Sequence, residues 1–171
     1  MIFTLTISHI SIQNFLSIES AELDIKPGAI YLLCGDNGAG KSSVLEALVW
    51  CLYGVTRSTS KDICSYWSKK PQDTRVTITL FVDNQEWSMT RICKGTPTVI
   101  LTNKTTGEEA TSADSRLFID KFFSQSLFNI LCYVKRNSFL ELSDSDKKEA
   151  LALLFNLHQF KTLMETAKSE E

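Results

Sequence analysis

The chain has 171 residues, 43% of them hydrophobic, enough for one domain or one domain with an appendage. Its 18 basic and 20 acidic side chains leave a net charge of −2, which excludes a global electrostatic signal for nucleic acid or membrane but not a local patch. Five scattered cysteines (Cys34, Cys51, Cys64, Cys93, Cys132) form no C-x-x-C pair, no apolar run is long enough to span a membrane, and the first residues lack the charged and apolar regions of a signal peptide, so none is expected. Buried thiols in a reducing, cytoplasmic compartment are expected, with no membrane partner.

Phe3, Leu5 and Ile7 alternate with polar residues, the pattern of a half-buried strand. The apolar phase shifts at His9-Ile10-Ser11-Ile12, which predicts a bulge or a switch of buried face. His9 stands alone and reads as a satisfied core or edge histidine. A second strand is expected over Ile18 to Ile25, closed by the turn Lys26-Pro27-Gly28. Ala29 to Cys34 is a short apolar run suited to a buried strand, and Val44 to Tyr53 is rich in helix formers, with Gly54 as its stop.

Between that strand and that helix lies Gly35-Asp36-Asn37-Gly38-Ala39-Gly40-Lys41-Ser42, a match to G-x-x-x-x-G-K-[ST], the phosphate-binding loop. Its glycines let backbone amides close around phosphate oxygens, and the new helix points its positive end at the same anion. Lys41 is expected to reach the β- and γ-phosphates, and the Ser42 hydroxyl to ligate Mg²⁺.

Val55 to Asp73 is polar and irregular. Arg57, Lys61, Lys69, Lys70 and Arg75 make it lean basic, which fits a solvated loop or a DNA contact. From Thr74 the chain reads as an antiparallel meander: Val76, Ile78 and Leu80 alternate, Asp83-Asn84-Gln85 turns, and Trp87 to Cys93 returns. Lys94-Gly95-Thr96-Pro97 turns again, Thr98 to Thr102 is a third strand, and Asn103 to Gly107 is a further turn. Ser115 to Phe123 reads as a helix, and Leu127 to Val134 as a nearly continuous apolar run.

Ser143-Asp144-Ser145-Asp146 has helix N-cap chemistry. Ala150, Leu153, Leu157, Phe160, Met164 and Ala167 then recur at heptad spacing. Two readings stand: an amphipathic helix packed on the domain, or the root of a longer coiled coil. Ser169-Glu170-Glu171 carries no helix stop, which favours a longer parent.

Hydrolysis also needs an acid near Mg²⁺. Leu80-Phe81-Val82-Asp83 resembles a strand ending in such an acid, yet the alternation and the turn that follows read as a hairpin. Leu142-Ser143-Asp144 lacks the glycines of the Leu-Ser-Gly-Gly signature and reads as a cap.

Ile10 to Ser17, then Gly28, the loop, Leu45-Glu46-Ala47-Leu48 and Leu52-Tyr53-Gly54 together resemble the N-terminal lobe of SMC-like ABC ATPases. The SbcC-type DNA double-strand-break repair ATPases and the phage recombination-exonuclease ATPase subunit are the nearest kin. Phe139 to Asp144, Lys147-Lys148 and Leu154-Phe155 look like the passage from Q-loop to coiled coil in that family. The resemblance implies an α/β P-loop NTPase lobe over 1–142, with a mixed sheet and an antiparallel meander. Residues 143–171 would be helical and lead into the coiled coil.

It also implies ATP and Mg²⁺ as cofactors, bound by Gly35, Asp36, Asn37, Gly38, Ala39, Gly40, Lys41, Ser42 and Ser43. Lys41 is then the principal cationic contact and the residue carrying catalysis, and Ser42 the metal ligand. Asn14, Phe15, Lys61, Asp62 and Ile63 lie where the family contacts base and ribose. Implied partners are a C-terminal ATPase lobe holding Walker B and signature motifs, a second head, a metal-dependent nuclease and DNA, in a host cytoplasm if the chain is phage-encoded. The sequence departs from the family at Leu16, where Arg is frequent. It also departs at the Q-loop glutamine, where alignment places Arg136 or Tyr133. Two alternatives follow: a nucleotide-binding or head-interaction module without efficient hydrolysis, and a self-contained small P-loop enzyme using Asp83.

Overall fold

Period-two alternation builds most of the described structure. The computed structural model of the chain describes residues 5–56, 63–65, 74–94, 96–110 and 112–122, with Gln125, Phe128, Asp144, Lys147, Lys148 and Leu151. The chain divides into two units, Met1–Phe122 and Phe123–Glu171.

In the first unit, β1 (Leu5–Phe15), β2 (Ile18–Asp24), β3 (Arg75–Val82), β4 (Gln85–Lys94), β5 (Thr96–Asn103) and β6 (Glu109–Ala110) form one sheet, ordered β2-β1-β3-β4-β5-β6. Every neighbouring pair runs antiparallel. One face carries the core: Ile10, Ile78, Met89 and Leu101 lie opposite one another across four strands, all buried. The opposite face is rich in hydroxyls, with Thr77 Oγ1 3.0 Å from Thr90 Oγ1 on the paired strand.

The expected bulge is present. The β1–β3 register slips between Ile7 and His9, leaving Ser8 as the extra residue. His9 lies on an inner strand, paired with Asp24 of β2 and Thr79 of β3, and its Nδ1 is 2.7 Å from Asp24 Oδ1, so it is satisfied as expected although not at an edge. The β3–β4 hairpin is closed by Asp83-Asn84, both with positive φ (47° and 64°), the backbone of a type I′ turn. Asp83 therefore belongs to a two-residue hairpin turn. The second turn is tighter than expected, because the β4–β5 ladder continues to Lys94↔Thr96 and takes in Pro97.

Helix α1 (Lys41–Tyr53) lies against β1, β3 and β4 and is buried over almost all of its last two turns. Gly54 ends it in the left-handed region, its N–H donating to Trp50 O at 2.8 Å. Helix α2 (Ser112–Phe122) covers β5, with the Phe118 ring 4.7 Å from that of Trp87.

One expected element is corrected. Ala29 to Cys34 is not a strand: it runs outside the sheet, with Ile30 99% and Leu32 85% exposed. An apolar run supplies the side chains of a buried strand, but a strand also needs a neighbour for its backbone, and the ladder of the sheet ends at β2. Among the described residues every strand pairing is antiparallel, so the parallel part of the expected mixed sheet is not found there.

In the second unit Asp144, Lys147, Lys148 and Leu151 are helical, and Lys147 Nζ lies 3.5 Å from Asp144 Oδ1. The heptad positions, the run Leu127 to Val134 (apart from Phe128), Tyr133, Arg136 and Phe139 to Leu142 lie outside the described residues.

Candidate functional site: a phosphate loop at the mouth of helix α1

The loop leads directly into α1. Its last glycine, Gly40, is the N-cap residue, with φ 90° and ψ 8°. A Cβ on Gly40 would stand 3.1 Å from Ser17 Oγ and 3.3 Å from Ile18 Cγ1, so a side chain there would strain the backbone and crowd both neighbours. That close approach seats the loop on the connection between β1 and β2. A second tie lies beside it, Ser17 Oγ at 3.1 Å from Ser43 Oγ.

The electrostatics of this helix end are unbalanced. The amides of Lys41, Ser42 and Ser43 lie in the first turn and have no intrahelical acceptor. Gly40 supplies no capping side chain and no acid occupies the first turn. The positive end of the helix dipole thus has no anionic counterpart in the helix itself. Lys41 reaches back over the loop, its Nζ donating to Gly35 O at 2.6 Å and Asp36 O at 2.7 Å. Amides, an ammonium and the hydroxyls of Ser42 and Ser43 make a donor set suited to a phosphate chain. A cavity of about 320 Å³ opens here between Ser17–Ala21, Leu33–Cys34 and Ala39–Lys41.

The Asn14 corner lies on the same side. Asn14 and Leu16 both have positive φ, 50° and 49°. For a leucine this is a strained backbone, costing on the order of 1–3 kcal/mol, and it is held by neighbours. Leu16 N–H donates to Ile63 O at 2.8 Å, Ser65 N–H donates to Asn14 O at 3.0 Å, and Thr74 Oγ1 donates to the same carbonyl at 2.9 Å. The structure thus brings Asn14–Leu16 onto Ile63–Ser65 and, through Ser17, onto the phosphate loop. Lys61 and Asp62 lie outside the described residues, as do Arg57, Lys69 and Lys70 of the basic stretch.

The far end of α1 holds a residue that sequence reasoning missed. Arg91 on β4 donates from Nε to Cys51 O at 3.0 Å and from Nη2 to Leu52 O at 3.4 Å, with Cζ 5.9 Å from the Trp50 ring centroid. Burial draws its pKa down from the usual guanidinium range. Trp50 in turn meets the Phe15 ring at 5.4 Å, beside the Asn14 corner. The missed signal was alternation: Trp87, Met89, Arg91 and Cys93 share one face of β4, and a charge among them is out of place.

Comparison with known proteins decides the family. A family model described as an AAA domain matches residues 9–171. The chain belongs to this family. Its relatives bear out the resemblance to SMC-like ABC ATPases. A DNA double-strand break repair Rad50 ATPase from Sulfurisphaera tokodaii is 34% identical over 85 residues, 46% of this chain and 9% of that protein. A probable exonuclease subunit 2 from Escherichia phage T5 is 24% identical over 176 residues, 97% of this chain and 28% of that protein. A DNA replication and repair protein RecF from Pseudoalteromonas translucida is 37% identical over 57 residues, 33% of this chain and 15% of that protein. A solved structure of RecF with ATP aligns over 63% of this chain and 28% of that one, with TM-score 0.47 and 18% identity. The chain spans less than a third of the length of each of these relatives.

Proposed function

We propose that this chain is the ATP-binding N-terminal lobe of a DNA repair or recombination ATPase, in which ATP-driven pairing of two heads controls a nuclease acting on DNA ends. The observation that carries the reading is the uncapped, acid-free N-terminus of α1, entered through Gly35–Gly40 with Lys41 over the loop. The amides of Gly38 to Ser43 would hold phosphate oxygens, Lys41 would exchange its two loop carbonyls for the β- and γ-phosphates, and Ser42 would hold Mg²⁺. Mg²⁺, when bound, neutralises charge on the phosphates. Asn14, Lys61 and Asp62 are assigned to base and ribose.

The names of the relatives support the DNA-processing role and the nuclease partner. The exposed run Ile30 to Leu33 supports docking of a further lobe that adds the missing neighbour strand and the hydrolytic acid. In this reading residues 1–142 form the lobe and 143–171 the root of a coiled coil, and the assembly works in the cytoplasm. Module-like binding without hydrolysis is favoured over a self-contained enzyme by Asp83, which is committed to a hairpin turn.

Calorimetric titration of the chain with Mg-ATP tests the reading. Binding is expected, Lys41→Ala should weaken it by at least about tenfold, and turnover should stay below ~1 s⁻¹. Equal binding by both proteins would remove the loop from the mechanism, and turnover at or above ~1 s⁻¹ would make the chain a complete enzyme.

A further inference from the structure

Arg91 interrupts an otherwise apolar row. Its ladder neighbours on the helix-covered face are Val76 on β3 and Val99 on β5, 0% and 5% exposed. A guanidinium in such a place is costly unless it finds acceptors, and here the last turn of α1 supplies two. Three consecutive carbonyls are held there: Trp50 O by the Gly54 amide, Cys51 O by Arg91 Nε and Leu52 O by Arg91 Nη2. The helix has no basic residue of its own in that turn. Gly54 leaves the room, since a Cβ on it would stand 3.0 Å from Arg91 Nη1.

We propose that Arg91 is a positioning residue for the phosphate loop, acting through the length of α1. The inference rests on the nucleotide-site reading above. The helix has 13 residues, a rod of about 20 Å. Its front end carries the first-turn amides and is tied to the sheet by Gly40 packed on Ser17 and Ile18 and by the Ser17–Ser43 hydroxyl pair. Its rear end is tied by Arg91. With both ends fastened, the rod can neither slide nor roll on the sheet. With the rear released, a small axial shift carries the amides of Gly40 to Ser43 out of line with a phosphate chain. Lysine keeps the charge but lacks the rigid planar fork that holds Nε on Cys51 O and Nη2 on Leu52 O at once, so it does not restore the clamp. The guanidinium and a bound phosphate would also occupy opposite poles of one helix dipole, each favouring the other.

The test uses the full chain, unsubstituted and as Arg91→Lys, Arg91→Met and Leu101→Val. The last loosens the core on β5 without touching the clamp. Affinities for Mg-ATP and AMP are measured where each protein is folded by circular dichroism, and amide spectra are recorded without nucleotide. Both Arg91 variants should lose on the order of tenfold in ATP affinity and less for AMP, because fewer phosphate oxygens depend on the loop. Their Gly40–Ser43 amide resonances should shift without ligand, whereas Leu101→Val should lower Tm and leave the ATP-to-AMP ratio and those resonances unchanged. An unchanged ratio with unshifted resonances in the Arg91 variants would reduce Arg91 to a plain helix cap. Absence of ATP binding by the unsubstituted chain overturns the nucleotide reading, and this inference with it.

Discussion

Gly40 joins two demands that favour glycine, a left-handed backbone and a Cβ position crowded by Ser17 and Ile18. Gly40→Ala should cost about 1–3 kcal/mol and lower Tm by several degrees. Because the same residue sets the loop against the β1–β2 connection, ATP affinity should fall with it. Calorimetry alongside a melting curve separates the two effects. Cys51 makes a different prediction. Its thiol is buried beneath α1, donating to Val76 O at 3.3 Å, and burial pushes its pKa up to about 12. A folded-state pKa above the unfolded value means that the unfolded chain deprotonates first as pH rises. The thiol's contribution is therefore intact below pH ~9 and lost above it, by up to ~1.4 kcal/mol per pH unit. Cys51→Ala should flatten the fall in stability between pH ~9 and ~11, measured by denaturant titration. Cys34, exposed beside the loop, should be alkylated at pH 8 while Cys51 is spared.

At the scale of elements, what the sequence reveals depends on how local the cause is. The phosphate loop, the Gly54 stop, the Asp83-Asn84 turn and the slip at His9 follow from backbone preferences and side-chain alternation within a few residues. Ala29 to Cys34 failed because its side chains report hydrophobicity and say nothing of whether a neighbour exists to pair its amides. Arg91 escaped notice because its reason lies forty positions earlier, at Cys51 and Leu52. The unpaired segment predicts its own behaviour. Amides of Ile30 to Leu33 should exchange with solvent near the unprotected rate in the isolated chain, while those of Ile78 and Met89, central in the sheet, are slowed by orders of magnitude. Slow exchange at Ile30 to Leu33 would mean that the segment already has a partner.

For the whole molecule, the same segment is a liability of solubility. Ile30 and Leu32 stand almost fully exposed beside partly exposed Tyr31 and Leu33, on a chain with net charge −2, too little charge to keep copies apart. Concentrated samples should self-associate, most strongly near the sequence pI of about 5.7. Replacing Ile30 and Leu32 together by Glu should return the chain to a monomer in light scattering with little change in Tm, because neither side chain is buried. A large loss of Tm would show that the segment is integral to the fold.

The extra residue in β1 carries a consequence for how this strand tolerates change in length. Before the slip, Leu5 and Ile7 pair with Val82 and Leu80; after it, Ile10 and Ile12 pair with Ile78 and Val76. Odd positions face the core on one side of Ser8 and even positions on the other, so Ser8 works as a parity switch. Excising it would leave an unbroken alternation with every apolar residue still inward. The strand holds one residue of slack upstream of the Asn14 corner, and a single-codon deletion there is the length change it is built to absorb.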